Sequence, residues 1–98
     1  MVIKSNVTKS GSAPDAYAAS YITFDGFQSR LLFITIEDFA VDIKFSWDGL
    51  NYVGDEMKLN VGDYVFELEC KGFKIKNNVA LSTATYQVVA FHSAGFTS

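Results

Sequence analysis

Apolar and polar residues alternate with a period of two through most of this sequence, and that alternation constrains the fold more than any other feature. In VDIKFSW, which ends at Trp47, every second residue is apolar, and YVFELEC, which ends at Cys70, repeats the pattern. A period of two places one side of a β-strand in a core and the other toward solvent. The phase predicts that Trp47 and Cys70 lie in the core, while Asp42 and Ser46 face solvent.

Turn-forming pairs separate the apolar runs at intervals of roughly eight to twelve residues, which is typical of all-β sandwiches and barrels. The pairs are Asp25-Gly26, Asp48-Gly49, Gly54-Asp55, Gly62-Asp63 and Asn77-Asn78. Two longer apolar runs, LLFITIE at 31–37 and YQVVAFH at 86–92, are predicted to be central strands covered on both faces. The predicted fold is therefore all-β, a single antiparallel β-sandwich of seven or eight strands, for which a jelly roll is one available topology.

The chain of 98 residues is sized for one domain. Because KSGSAPDA at 9–16 is the only linker-like segment, we predict an N-terminal arm or linker at 1–16, a β-sandwich domain at 17–92 and a C-terminal tail at 93–98. YAASYITF at 17–24 is predicted to be a strand. No apolar run approaches the roughly 20 residues of a membrane helix, and the N-terminus lacks a signal-peptide pattern. We therefore expect no membrane contact and synthesis in a cytoplasm.

The charge balance argues against a nucleic-acid partner. The net charge is −3, whereas binding to phosphates requires clustered lysine and arginine. Ten of the eleven acidic residues fall within 25–69, and the three lysines after residue 70 have no acid among them. This asymmetry is compatible with contacts between oppositely charged surfaces of neighbouring molecules, and equally with charges placed wherever turns occur.

Few residues could carry catalysis or hold a metal. A thiol nucleophile would need Cys70 activated by His92, yet the phase of Cys70 predicts a buried, inert thiol. A structural zinc site needs about four Cys or His ligands, and the chain has one of each. Oxygen-bearing side chains that could line a calcium loop are Asp48, Asn51, Asp55 and Glu56. The spacing of a calcium-binding helix–loop–helix motif is missing. We expect no enzyme, no cofactor and no metal, with calcium the open case.

A small carbohydrate-binding module is the alternative that stays open. Trp47 and Tyr52 flank the Asp48-Gly49 turn and, with Tyr64, could form an aromatic platform for a sugar ring. Such a platform must be exposed to solvent, whereas the phase of Trp47 predicts burial. Trp47 and Tyr52 are the candidate glycan contacts under this alternative.

The stretch VDIKFSWDGLNYVGDEMKLNVGDYVFELECKGFKIKN, followed by ATYQVVAFHS, resembles a pattern found in small virion proteins of tailed bacteriophages. In that pattern a strand opens a hairpin at an Asp-Gly turn, and three further strands follow at set spacings. The matching positions are Ser46, Asp48, Gly49, Tyr52, Gly62, Tyr64, Phe66, Phe73 to Lys76, Tyr86, Val88 and Ala90. The resemblance covers about residues 40–92 and is a hairpin signature rather than a catalytic fingerprint.

The resemblance implies a non-enzymatic structural role in the virion, as a capsid decoration or cement protein or as a neck or tail adaptor. The implied partners are capsid, portal, neck or tail proteins, together with copies of the same chain in a homo-oligomer or multicopy array. Val2 and Ile3 in the arm and Phe96 in the tail are the candidate partner contacts. Deletion of residues 1–12 or 94–98 is accordingly expected to abolish incorporation into particles and to leave a folded monomer.

Overall fold

The computed structural model describes residues 6–26, 28–48 and 52–92, with the backbone alone at residues 52–55 and 92. These residues form eight strands: β1 (Asn6–Ser12), β2 (Ile22–Thr23), β3 (Ser29–Glu37), β4 (Val41–Ser46), β5 (Tyr52–Leu59), β6 (Gly62–Phe66), β7 (Gly72–Asn77) and β8 (Thr85–His92). None of the described residues is helical, so this part of the chain offers no helix that could cross a bilayer.

The strands form two four-stranded antiparallel sheets, with the order β1-β8-β3-β6 in the first sheet and β2-β7-β4-β5 in the second. The chain therefore pairs its first strand with its last, its second with its seventh, its third with its sixth and its fourth with its fifth. These pairs arise when one long hairpin of strands is rolled into two layers. This topology is the jelly roll. The predicted all-β sandwich is confirmed, and its topology is the jelly roll.

The core lies between the two sheets and consists of the inward-facing residues of both. Its largest fully buried apolar side chains are Phe24, Phe73, Leu32, Ile34, Ile36, Ile43, Val41 and Val88. The rings of Phe24 and Phe73 stack at 5.8 Å, and Tyr86 meets Phe73 edge to face at the same distance. Burying each such side chain stabilises the fold by about 1.5–3 kcal/mol relative to exposure. The period-two phase of β4 identifies Val41 and Ile43 correctly, whereas the sequence marks Leu32, Ile34, Ile36 and Val88 only as members of continuously apolar runs.

The prediction of a free arm over residues 1–16 is wrong for Asn6–Ser12. These residues form β1, which pairs with β8 along its whole length, from Asn6 opposite Phe91 to Ser12 opposite Thr85. Ala13 follows in the core, and its amide donates to the carbonyl of Ala84 at 2.8 Å. Serine and glycine suggested a linker, but an edge strand needs an apolar side chain only where it faces the core. Residues 1–5 and the predicted tail at 93–98 lie outside the described residues.

The predicted strand at 17–24 is also wrong except at Ile22–Thr23. Residues 14–21, here called the strap, run outside the second sheet. The Tyr17 ring lies beside the ammonium groups of Lys44 and Lys76, at 4.5 Å and 5.2 Å, and its hydroxyl donates to Glu56 at 2.6 Å. Burial, followed by the bond to Glu56 and its charge, raises the pKa of Tyr17 far above its ordinary value. The strap thus engages Lys76, one of the three lysines after residue 70, together with Lys44.

Three further predictions about β4 and the turns are wrong. Asp42 and Ser46 are buried rather than solvent-facing. The side-chain amide of Asn78 donates to Asp42 at 2.8 Å. Ser46 pairs with Gly72 of β7, which pairs with Thr23 of β2 on its other side. Gly54-Asp55 lies within β5 and is not a turn. By contrast, Asp25-Gly26 is a turn as predicted, with φ of 55° and 93° at its two residues.

Candidate protein-interaction surfaces

The outer face of the first sheet carries an apolar surface at one end. It consists of Leu31, Phe33, Val65, Val89 and Phe91, which are here called the outer patch. Phe33 stands opposite Val65 on one side and Val89 on the other, and Leu31 stands opposite Phe91. The rings of Phe33 and Phe91 meet edge to face at 5.1 Å. Phe33 is 43% exposed and Val65 65% exposed, so the outer patch presents apolar surface to solvent.

The same face becomes polar toward its other end. The next rows across the sheet place Ser10 opposite Gln87 and Gln87 opposite Thr35, then Thr85 opposite Glu37. These rows line a shallow open groove of about 460 Å³. Strands with one solvated face normally alternate apolar and polar residues along their whole length. The apolar half of this face therefore departs from that pattern, and contiguous exposed apolar surface of this kind marks interaction sites.

The sequence prediction that 31–37 and 86–92 are covered on both faces is wrong within the described part of the chain. β3 and β8 are central in their sheet, as predicted, but only their inner faces are buried. The apolar run LLFITI was the signal for the outer patch. Such a run predicts burial of both faces within one molecule, because its sequence is the same whether the second face is covered by the same chain or by a partner.

Trp47 is not in the core, contrary to its phase. β4 ends at Ser46, and the Trp47 side chain is 53% exposed just beyond the strand. The structure places Tyr52 at the start of β5, opposite Ser46, but its side chain lies outside the described residues. The candidate partner contacts Val2, Ile3 and Phe96 lie outside them as well. Asn6, the first residue of β1, pairs with Phe91 of the outer patch.

Cys70 occupies the core environment that its phase predicted. It is buried, and its sulfur lies 3.4 Å from the Ser29 hydroxyl oxygen. Burial raises the pKa of the Cys70 thiol above its ordinary value of 9.0, against smaller opposing effects of Ser29 and the Gly72 amide. His92 pairs with Ser29 from the neighbouring strand, and its side chain is not described. A raised pKa and burial are the opposite of what activates a cysteine nucleophile.

The residues proposed for a calcium loop are not brought together where the structure describes them. The Glu56 carboxylate accepts a hydrogen bond from the Tyr17 hydroxyl, and the Asp48 carboxylate accepts one from the Ser46 hydroxyl at 3.3 Å. Asn51 and the side chain of Asp55 lie outside the described residues. Within the described residues, no three His, Cys, Asp or Glu side chains are grouped so as to hold a metal ion.

Comparisons with protein-family models and with curated proteins find no match. Among solved structures, the chain is similar to ToxT from Vibrio cholerae O395, determined bound to (E)-4-(8-methylnaphthalen-1-yl)but-3-enoic acid. The TM-score is 0.51 at 10% sequence identity, over 93% of this chain and 32% of the ToxT chain. The chain thus spans about a third of the length of ToxT. Likeness at this identity supports the sandwich fold and assigns no activity.

Proposed function

We propose that the protein is a non-enzymatic structural component of a bacteriophage particle, a capsid decoration protein or a neck or tail adaptor that acts through protein–protein contacts. The observation that carries the proposal is the outer patch, exposed on the central strands of the first sheet. The resemblance of residues 40–92 to small tailed-phage virion proteins points to the particle as the setting. The protein would be made in the host cytoplasm and function in the virion.

The outer patch suits contact because it is rigid. Phe33 and Val89 belong to strands hydrogen-bonded on both sides, so little side-chain or backbone freedom remains to be lost when a partner covers them. A patch of this kind on one face can also pack against the same patch of a second copy around a two-fold axis. Multicopy assembly and binding to another virion protein would therefore use the same physical feature.

The proposal is tested on particles of the phage that encodes the chain. Particles are purified by density-gradient centrifugation, and the protein is quantified across the fractions by mass spectrometry. We expect a constant ratio of this protein to the major capsid protein through the particle peak. Its presence only in the soluble fractions at the top of the gradient would contradict the proposal.

A pair of variants on the outer face tests whether the outer patch makes the contact. Phe33→Ser removes the most central exposed ring of the patch, and Gln87→Ser changes an exposed residue in the polar half of the same face. We expect at least tenfold less Phe33→Ser protein in particles and normal amounts of Gln87→Ser protein, because hydrophobic contact supplies the binding energy. Equal incorporation of the two variants would separate the outer patch from assembly.

One observation favours the second candidate, a carbohydrate-binding module. Trp47 is exposed, as a sugar platform requires, although its phase predicted burial. Because Trp47 is the only tryptophan, its fluorescence reports on that position alone. Titration with a panel of oligosaccharides should leave the emission spectrum unchanged if the protein is a scaffold. A saturable blue shift in the wild type, together with protection against thermal unfolding by the same oligosaccharide that Trp47→Phe loses, would favour carbohydrate binding.

A further inference from the structure

Three loops meet at one end of the sandwich. They connect β3 to β4, β5 to β6 and β7 to β8. The register brings them together, because Val41 pairs with both Leu59 and Asn77, and the first sheet ends beside them where Ile36 pairs with Gly62. Each loop carries exposed apolar side chains, namely Phe39, Val61, Val79 and Leu81, here called the loop end. This surface is separate from the outer patch, which lies toward the opposite end of the first sheet.

Two residues of the loops at this end have positive φ, and for Leu81 this backbone conformation is unusual for the residue type. Leu81 has φ of 60°, and Asp38, directly before Phe39, has φ of 76°. Residues other than glycine rarely adopt this left-handed conformation because Cβ crowds the backbone. The Leu81 side chain is 104% exposed, so the described residues provide no packing that would offset this strain. Backbone strain retained at an exposed apolar residue points to a contact outside the molecule.

Hydrogen bonds tie two of the three loops to each other and close the base of one of them. The Asn78 amide donates to the Ala40 carbonyl at 3.1 Å, which joins the β7–β8 loop to the β3–β4 loop. The Asn77 side chain accepts from the Ala84 amide at 2.9 Å, which closes the base of the β7–β8 loop. The apolar tips therefore stand on a fixed base, so binding would not have to order the loops first.

Charge identifies the kind of partner. Exposed carboxylates surround the loop end, namely Asp15, Glu37, Asp38 and Asp63. The nearest lysines, Lys58 and Lys76, both stand opposite Asp42 on the outer face of the second sheet, and Lys76 lies 3.7 Å from it. An anionic membrane surface would be repelled by this acidic rim, and two loop ends placed end to end would repel each other.

We propose that the loop end docks into an apolar socket edged by arginine or lysine on another protein of the particle. The inference rests on the proposed function for its setting and adds a second contact surface with a defined partner chemistry. The loop end supplies the apolar anchor, and its acidic rim steers and aligns the basic edge of the socket.

The test uses particles assembled without this protein, to which purified full-length protein is added. Leu81→Asn removes the apolar side chain while asparagine tolerates positive φ, and Ala80→Asn is the matched control one residue away. We expect Leu81→Asn to bind particles at least tenfold more weakly and to unfold at a urea concentration no lower than the wild type. Ala80→Asn should bind normally. Normal binding by Leu81→Asn would overturn the proposal.

A photo-cross-linking side chain at position 81 identifies what the loop end touches. A cross-link to another virion protein, within a segment that contains arginine or lysine, supports the proposal. A cross-link to a second copy, or co-sedimentation with vesicles of phosphatidylglycerol and phosphatidylcholine, overturns it. A photo-cross-linking side chain at position 65 of the outer patch provides the comparison. A cross-link from position 65 but none from position 81 overturns the loop-end proposal alone. Failure of the wild-type protein to bind particles overturns the proposed function as well.

Discussion

Asn77 is the residue on which the end of the sandwich depends. Its side-chain amide donates to the Ala13 carbonyl at 2.9 Å and to the Asp15 carboxylate at 3.0 Å, and its side-chain oxygen accepts from the Ala84 amide at 2.9 Å. One buried side chain thereby joins the end of β1, the strap and the start of β8. Sequence alone marked Asn77 only as part of a turn.

Replacement of Asn77 by alanine should destabilise the fold by about 2–4 kcal/mol, because it leaves buried backbone groups without partners. Urea unfolding followed by circular dichroism measures the change. Asn60→Ala is the control, since the Asn60 side chain is exposed and should matter by less than about 0.5 kcal/mol. Similar unfolding midpoints for the two variants would show that the Asn77 bonds are not structural.

The buried thiol of Cys70 predicts how stability depends on pH. Its pKa is raised by burial in the folded state, so the folded protein holds the proton to higher pH than the unfolded chain does. The stabilising contribution is therefore complete below the ordinary pKa of 9.0 and is lost as pH rises toward the folded value.

The wild type should lose stability relative to Cys70→Ala between about pH 8 and pH 10, at no more than about 1.4 kcal/mol per pH unit. Tyr17 and Tyr86 also have raised pKa values and act with the same sign, but from their higher ordinary pKa of 10.0. The difference between the two proteins, measured by urea unfolding at each pH, isolates the thiol. A difference that is independent of pH would contradict the assignment.

The pairing of β2 with β7 leaves no room for a side chain at Gly72. A Cβ on Gly72 would lie 2.5 Å from the Ile22 carbonyl oxygen, a backbone atom that cannot turn aside. Glycine is required here because two strands pass close together.

Gly72→Ala should therefore cost about 1–3 kcal/mol and loosen the pairing of β2 with β7. Gly11→Ala provides a matched comparison, because its nearest neighbour would be the Tyr86 hydroxyl oxygen at 3.4 Å, an ordinary contact. That variant should unfold at the wild-type midpoint or gain up to about 1 kcal/mol. Amide hydrogen exchange at residues 72 and 73 reports the pairing directly, and unchanged protection in Gly72→Ala would contradict the prediction.

For the whole molecule, pairing of β1 with β8 closes the first sheet. Deletion of residues 1–12 removes β1 and exposes the edge of β8, so we no longer expect the folded monomer that an arm would have allowed. Deletion of residues 1–5 leaves β1 intact and serves as the control. Size-exclusion chromatography with near-UV circular dichroism should show aggregation or lost tertiary structure for the longer deletion only. A folded monomer without residues 1–12 would show that β1 is dispensable.

The sequence by itself determined the all-β class, the core phase of β4, the burial of Cys70 and the turn at Asp25-Gly26. Each of these depends on neighbouring residues, where a period of two and a turn dipeptide are direct physical signals. The fold class and these core positions were therefore predictable from the sequence.

Each strand has one face toward the core between the sheets. Only the tertiary structure decided what covers its other face. It buried Asp42 beneath Asn78, left Trp47 exposed beyond the end of β4, made a strand of Asn6–Ser12, and left Phe33 and Leu81 open to solvent. These outcomes depend on segments far apart in the chain, such as Asn6 beside Phe91. The alternation within a strand predicts that it has an apolar face and a polar face. Long-range pairing then determines whether a sheet, the strap, solvent or a partner lies against the face turned away from the core.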